Sequence, residues 1–353
     1  MNWKNELTEL FNLKYPIIQA PMFGVTTPEM VAATNKLGCL GALPLSDMPT
    51  ELALKEIEET ATLTNLPFIV NLFTHSIPPI DEELQKQYEC TKAYLIQLAN
   101  QLDFNINIPT LEEIKPISYH DLIEVVLYKK SNYLSFTFGN LDAESIDKLK
   151  ANGTILIGTC TTISEAIELD TAGIDIICVQ GIEAGGHRGS FDNLKIPSIG
   201  GLSLLSQLND CIQKPLIYAG GIYNGATLHA AKIMGAKGFQ VGSILTCSDE
   251  SALQKFEKER LKNVTENEII LTKSFSGRTA RGIENEFIKM TENSPYILPY
   301  PYQNKLTASL RKAAKQHQNT EFTNLWIGQS HRNLKEDSTE NILKNLIHSA
   351  ELI

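Results

Sequence analysis

The chain of 353 residues is 42% hydrophobic and 20% charged, a globular balance with enough length for one large α/β barrel with insertions. Its net charge of −10, with both signs mixed along the chain, argues against the basic face that nucleic-acid binding needs. No apolar run reaches the about 18 residues of a membrane helix, and six scattered cysteines without a CxxC pair indicate a reducing, cytoplasmic setting.

Eight short apolar runs, rich in β-branched residues and each followed by a potential helix, are predicted to be strands. In chain order they cover residues 16–22, 39–44, 67–73, 133–139, 154–160, 173–180, 215–221 and 238–243. Most are too continuously apolar for half-exposed antiparallel strands, so a parallel sheet is favoured. Eight strand–helix units predict an α/β fold, a (β/α)8 TIM barrel, with its site at the C-terminal ends of the strands.

Three segments between these strands carry clear helix signals. Residues 27–38 and 162–173 have Ser or Thr near the start and Gly at the end. Residues 224–236 repeat the pattern, with Asn224 as the expected N-cap.

Two regions exceed eight minimal strand–helix units. Residues 74–132 are predicted to contain two or more helices, and residues 244–353 continue past the eighth strand to a final helix at 337–350. We expect this extra material to cover the mouth of the barrel as a helical lid. The expected division is a barrel of residues 1–73 and 133–250, with helices near 303–353 packing back on it, and a smaller lid of residues 74–132 and about 251–302.

Glycine-rich turns follow the seventh and eighth predicted strands, in AGGI (219–222) and QVGS (240–243). Glycines let backbone N–H groups approach an anion near a helix N-terminus. They also simply permit tight turns between a strand and a helix. Because phosphate sites after these two strands recur in TIM barrels, the pair of turns predicts phosphate binding.

His187 stands in VQGIEAGGHRGS (179–190), directly after Gly185 and Gly186. A lone histidine is usually an ordinary core or surface residue. This one follows the sixth strand, at the catalytic face, in a loop whose glycines keep the backbone close to a flat ligand. We therefore predict a catalytic or substrate-binding role for His187.

Other polar side chains allow more than one interpretation. Glu183 and Arg188 flank the histidine and either serve the site or form an ion pair within the loop. The arginines of RTARG (278–282) either contact substrate or phosphate or brace a loop. Cys160 ends the fifth strand, but no basic residue lies near it in sequence, so packing is favoured over a role as nucleophile.

Several segments together resemble the motif series of the nitronate monooxygenase family, formerly called 2-nitropropane dioxygenases. These segments are QAPM (19–22), NLF (71–73), SFTFG (135–139), QGIEAGGHRG (180–189), AGGI (219–222), QVGS (240–243), FSGRTARGIENEF (275–287), QNKLTASLR (303–311) and LWIGQS (325–330). The match runs from about residue 14 to the C-terminus, and EAGGHRG is highly specific for the wider superfamily. The resemblance implies a TIM barrel that binds FMN noncovalently, with a smaller lid domain.

The family's motifs, carried over residue by residue, imply how FMN would be held. Met22, Asn71 and Gln180 would contact the flavin ring and ribityl chain. Gly185 would approach the ring closely, and the two glycine turns would hold the phosphate. The full set of implied cofactor-binding residues is Ala20, Pro21, Met22, Asn71, Gln180, Gly185, Gly186, Gly220, Gly221, Gln240, Val241, Gly242 and Ser243. Family members commonly have Thr where Ser243 stands, and both side chains offer a hydroxyl.

The resemblance also implies an activity, the oxidation of alkyl nitronates by O2 to a carbonyl compound and nitrite, with propionate 3-nitronate as the expected substrate. His187 would remove the α-proton of a neutral nitroalkane and would orient a nitronate. Independently of the resemblance, PYPYQN combines aromatic residues with prolines that limit backbone freedom, so Tyr300 or Tyr302 is expected near His187 in the substrate wall. The expected partners are the nitronate or nitroalkane and O2, with no metal and no membrane, in a monomer or homodimer.

Two alternatives stay open. An FMN-dependent enoyl-acyl-carrier-protein reductase or NAD(P)H:quinone reductase of the same superfamily would share the barrel, the glycine turns and AGGH. Arg188 and the SGRTARG and QNKLT segments favour the monooxygenase. A barrel that binds a phosphate-containing ligand without turnover is the other alternative, and the histidine after the sixth strand argues against it.

Overall fold

The computed structural model describes residues 1–353, and its main feature is a sheet of eight parallel strands surrounded by helices. The strands of this sheet are β1 (Ile17–Gln19), β2 (Ala42–Ser46), β3 (Ile69–Phe73), β4 (Tyr133–Thr137), β5 (Ile155–Cys160), β6 (Ile176–Gln180), β8 (Leu216–Ala219) and β9 (Gly238–Val241). A second, three-stranded sheet is formed by β7 (Gly186–His187), β10 (Ile269–Thr272) and β11 (Ala280–Ile283).

Neighbouring strands of the large sheet pair in the order β1-β9-β8-β6-β5-β4-β3-β2. A parallel bridge between Ile18 and Leu40 links the two ends, so the sheet is nearly closed. Strands that follow one another in the chain are therefore neighbours around the ring. This confirms the predicted (β/α)8 TIM barrel.

Several strands end earlier than predicted at their C-terminal ends. The runs 16–22, 215–221 and 238–243 leave the sheet after Gln19, Ala219 and Val241. The residues that follow turn away from the strand direction, most clearly at Gly220 and Gly221, whose φ angles are 102° and 70°. Their backbone is thus available to shape the barrel mouth.

The helices begin where the sequence signals indicated. Thr27, Thr162 and Asn224 are N-caps whose side chains accept a hydrogen bond from the backbone N–H three residues on. No helix is long and apolar enough to cross a membrane. The helices are α1 (Glu6–Leu10), α2 (Pro28–Lys36), α3 (Thr50–Leu63), α4 (Glu82–Gln101), α5 (Tyr119–Tyr128), α6 (Ala143–Ala151), α7 (Ile163–Thr171), α8 (Gly201–Cys211), α9 (Gly225–Ile233), α10 (Lys255–Lys262), α11 (Glu286–Thr291), α12 (Tyr302–Leu306), α13 (Ala308–Gln316) and α14 (Thr339–Glu351).

Apolar side chains form a barrel core and a separate second cluster. The second cluster joins α4 to the segment from Phe275 to Phe322, which includes α12 and α13. In contrast, Leu122 and Val126 of α5 lie in the barrel core, because α5 is the crossover helix between β3 and β4. Helix α14 packs on α2 and α9. These memberships differ from the expected division, which put α5 in the lid and α12 and α13 against the barrel.

The three-stranded sheet ties the loop after β6 to the C-terminal part of the chain. His187 pairs with Ala280 of β11, and β11 pairs in turn with β10. A strand of two residues inside a glycine-rich loop has no apolar periodicity, so the sequence does not predict it. The pairing fixes the backbone of His187 from a second direction.

Candidate functional site

A cavity of about 780 Å³ opens at the C-terminal ends of the barrel strands, within the size range of small-molecule sites. Its wall contains residues from both halves of the chain, including the barrel turns and the segment around Tyr300. The predicted site residues that line it are Ala20, Pro21, Met22, Asn71, Gln180, Gly185, Gly186, His187, Gly220, Gly221, Gln240, Gly242, Ser243 and Tyr300.

Two predicted site residues lie outside this wall. The side chain of Val241 is 1% exposed and packs in the barrel core, because inward and outward positions alternate along β9. Tyr302 belongs to the second apolar cluster, and its hydroxyl donates to the carbonyl of Pro78 at 2.8 Å. Of the two tyrosines expected in the substrate wall, Tyr300 lines the cavity and Tyr302 does not.

The turn after β8 is shaped for close approach of a ligand to backbone. Gly220 and Gly221 both have positive φ, which other residues rarely adopt. A Cβ on Gly220 would lie 3.0 Å from the backbone nitrogen of Ala184. Helix α9 begins at Gly225, where the backbone N–H donates to Oγ of Ser349 of α14 at 2.9 Å. The exposed backbone of the two glycines is therefore the part of this turn that suits a phosphate group.

The loop carrying His187 is pressed against the C-terminal segment LWIGQS. A Cβ on Gly185 would lie 2.4 Å from the nitrogen of Gly328, so only glycine fits there. Gly328 donates to Oγ of Ser243 at 2.9 Å, and Gln329 donates to the carbonyl of Glu183 at 3.0 Å. One short segment thus fixes both the histidine loop and the turn after β9.

Gln180 braces the same loop from the barrel side. Its Nε2 donates to the carbonyl of His187 at 3.1 Å, and its Oε1 accepts from the N–H of Gly189 at 2.8 Å. Arg188 is 1% exposed and donates to the carbonyls of Gln180 and Gly181, while Glu183 accepts from the N–H of Gly201 at 2.9 Å. Both side chains therefore stabilise the loop through backbone groups.

His187 lies on an aromatic wall. Its ring centroid is 5.7 Å from that of Phe138, 5.5 Å from that of Trp326 and 6.4 Å from that of Tyr300. Phe73 is 6.5 Å away. These rings exclude water from one side of the imidazole.

The charge state of His187 follows from this surrounding. Burial, with the positive charges of Arg278 and Arg311, lowers the pKa of His187 to about 3. The ring is therefore neutral at neutral pH and free to accept a proton. Its Nε2 is 2.8 Å from Oγ of Ser276. Sequence reasoning missed Ser276, although the segment that contains it was part of the resemblance.

Cationic side chains outnumber anionic ones around the cavity. Arg311 donates through Nη2 to the carbonyl and Oδ1 of Asn304 at 2.7 and 2.8 Å, and its Nε has no partner. Lys305 lies 3.9 Å from the Asp47 carboxylate. Arg278 does not line the cavity; it is 6% exposed and stacks 4.0 Å over the ring of Phe138. Burial lowers the pKa of Arg278 and of Arg311 only to about 10, so both stay charged, and Arg311, which lines the cavity, favours an anion there.

Cys160 is fully buried, and burial raises the pKa of its thiol well above the usual range. The thiol therefore stays protonated and unreactive, in agreement with a packing role.

The sequence matches the family model described as nitronate monooxygenase over residues 4–349. A probable nitronate monooxygenase of Staphylococcus saprophyticus is 39% identical over 357 aligned residues, covering 100% of this chain and 99% of the relative. One from Staphylococcus aureus is 36% identical, covering 99% of this chain and 98% of the relative.

Among solved structures, a nitroalkane oxidase from Streptomyces ansochromogenes superposes with a TM-score of 0.87 at 32% identity, covering 99% of this chain and 98% of the other. FabK from Thermotoga maritima superposes with a TM-score of 0.76 at 22% identity, covering 99% of this chain and 97% of the other. The second likeness concerns the fold alone.

Proposed function

Because the chain belongs to the nitronate monooxygenase family and is thus an oxidoreductase, we propose that it uses FMN and O2 to convert alkyl nitronates into a carbonyl compound and nitrite. The observation that carries this proposal is a neutral, aromatic-walled His187 on a cavity bordered by Arg311 and Lys305. That combination offers a proton acceptor beside positive charge, which suits a nitro compound and its anion.

The cavity residues fit FMN. Gly220 and Gly221 line the cavity with backbone alone, and Ser243 adds a hydroxyl, a set suited to one terminal phosphate. Met22 and Asn71 would contact the ring and ribityl chain, while Gln180 would act mainly by holding the loop. When bound, the flavin supplies the one-electron redox chemistry.

His187 would act differently on the two forms of substrate. With a neutral nitroalkane, the imidazole takes the α-proton, the C–H electron pair forms the C=N bond, and the nitro oxygens take the negative charge. A nitronate has already lost that proton and needs only orientation and charge stabilisation. The lowered pKa of His187 means that the ring is unprotonated before reaction, which is the state that a base requires.

The cationic wall supports a small substrate with more than one negative charge. Lys305 and Arg311 come from α12 and the start of α13, while Lys312 and Lys315 continue along α13 at the cavity edge. Asp47 lies 3.9 Å from Lys305 and Glu257 lies 2.9 Å from Lys315, so Arg311 and Lys312 are the cations of this wall without a carboxylate partner. A dianion such as propionate 3-nitronate could place its nitronate near His187 and its carboxylate near this wall.

The test is aerobic turnover of propionate 3-nitronate by the purified protein, with nitrite measured with and without NAD(P)H. We expect nitrite release without a pyridine nucleotide, and FMN, not FAD, in the supernatant after denaturation. Rapid bleaching of the flavin by NADH or NADPH, with no nitrite release, would instead favour the reductase alternative. A colourless protein that does not bind added FMN would overturn both the monooxygenase proposal and the reductase alternative.

A further inference from the structure

The hydroxyl of Ser276 is the only side-chain group hydrogen-bonded to the imidazole of His187. Ser276 lies in the turn between β10 and β11 and is 2% exposed. Besides the 2.8 Å contact with Nε2, its Oγ is 2.9 Å from the carbonyl oxygen of Arg278 and 3.3 Å from the Arg278 nitrogen. Three partners therefore share one hydroxyl.

The number of protons decides how these contacts are made. A serine hydroxyl donates once and accepts twice. The carbonyl of Arg278 can only accept, so it takes the hydroxyl proton, and the N–H of Arg278 donates to the oxygen. The remaining lone pair can be satisfied only by an N–H from the imidazole. If Nε2 carried no proton, two acceptors would compete for one donor and one contact would be lost.

We propose that Ser276 is a positioning residue that holds His187 in the tautomer with the proton on Nε2. The other ring nitrogen, Nδ1, makes no hydrogen bond within the protein, and His187 lines the cavity. Nδ1 is then the atom that accepts a proton from substrate. This assignment of roles rests on the proposed function, whereas the tautomer itself rests only on the hydrogen bonds.

Fixing the tautomer of His187 has different consequences for the two forms of substrate. For a nitroalkane, the α-carbon gives its proton to Nδ1, and the bonding pair becomes the C=N bond of the nitronate. For a nitronate, Nδ1 has no N–H to donate, so the negative charge of the nitronate group is stabilised by other groups that line the cavity. Ser276 should therefore matter for nitroalkanes and little for nitronates.

The tautomer can be read directly from nitrogen NMR of the flavin-loaded protein with isotope-labelled histidine. The chain has seven histidines, and His187→Asn identifies the signal of interest. We expect a protonated Nε2 and an unprotonated Nδ1 at neutral pH, a mixture in Ser276→Ala, and recovery in Ser276→Thr, which keeps a hydroxyl. A protonated Nδ1 in the wild-type protein, or an unchanged signal in Ser276→Ala, would overturn the proposal.

Kinetics test the consequence. In Ser276→Ala, kcat for nitroethane should fall about tenfold or more with little change in KM, the scale of losing a group that orients a ligand. Turnover of preformed ethyl nitronate should stay within about twofold, and Ser276→Thr should recover. Equal loss on both substrates would mean that Ser276 supports only the fold. If the wild-type protein turns over neither substrate but shows the expected tautomer, the proposed function is wrong, whereas the role of Ser276 in fixing the tautomer is supported.

Discussion

The rings of His187 and Tyr300 lie 6.4 Å apart at an interplanar angle of 70° on the wall of one cavity. The two residues reach this position from β7 and from the segment just before α12. The Tyr300 hydroxyl is buried beside Asp47, and burial together with the Asp47 carboxylate raises its pKa well above the usual range. Tyr300 is therefore a protonated phenol at neutral pH.

Replacing Tyr300 by Phe should raise KM for a nitronate about tenfold, because the anion loses a hydrogen bond from a buried donor. FMN content should not change. Tyr302→Phe is the matched control, since its hydroxyl faces the Pro78 carbonyl away from the cavity. Steady-state rates of nitrite release give KM for each variant. Similar KM values for the two variants would show that the Tyr300 hydroxyl does not contact substrate.

His187→Asn should fold and keep FMN, because the phosphate turn and Met22 are unchanged. Turnover of a neutral nitroalkane should fall about a hundredfold or more, the usual scale for losing a general base. Preformed nitronates should lose less, since no proton remains to be removed. His348→Asn, on the exposed last turn of α14, serves as control. Equal losses on both substrates would assign His187 to binding alone.

His75 should make the protein sensitive to acid. Its ring is 8% exposed, neither nitrogen has a partner, and it packs edge-on against Tyr300 at 4.5 Å. Burial, opposed by Asp47 and aided by Arg278 and Lys305, lowers its pKa to about 4. In the unfolded chain the value is about 6.5. Between these values the unfolded state binds the extra proton, so stability is lost as pH falls from about 6.5 towards 4.

His75→Phe keeps the ring contact with Tyr300 and removes the titrating group. Between pH 7 and pH 5 the wild-type free energy of unfolding should fall by about 1–2 kcal/mol more than that of the variant. Urea titrations at both pH values measure this difference. His187 shifts in the same direction in both proteins and cancels in the comparison. Parallel losses in the two proteins would show that His75 is not held neutral.

Gly185→Ala should destabilise the protein, because the new Cβ would lie 2.4 Å from the Gly328 nitrogen and 2.5 Å from the carbonyl carbon of Ile327. We expect a loss of about 1–3 kcal/mol, the scale of overpacking, together with reduced FMN content. Gly200→Ala is the control, since its Cβ would come no closer than 3.6 Å to another residue. Urea unfolding and flavin absorbance follow the two effects. Equal stability of the two variants would mean that the loop at Gly185 can move away from Ile327 and Gly328 at little cost in free energy.

The sequence by itself determined the barrel fold and the end of the barrel at which the site lies. Apolar runs and caps such as Thr27 and Asn224 act within a few residues, so each strand and helix is legible locally. Parallel strands bring their carboxyl ends to one edge. Turns such as Gly220–Gly221 and the loop of His187 therefore had to meet there once the barrel was predicted.

The tertiary structure alone decided what surrounds the imidazole. Ser276 and Arg311 reach His187 because β11 pairs with β7 and because α12 and α13 pack with α4 in the second cluster. Tyr300 and Tyr302 are neighbours with the same chemistry, yet one lines the cavity and the other packs away from it. Local periodicity carries no information about contacts between distant segments. Those contacts depend on how the barrel core and the second apolar cluster pack on either side of the cavity.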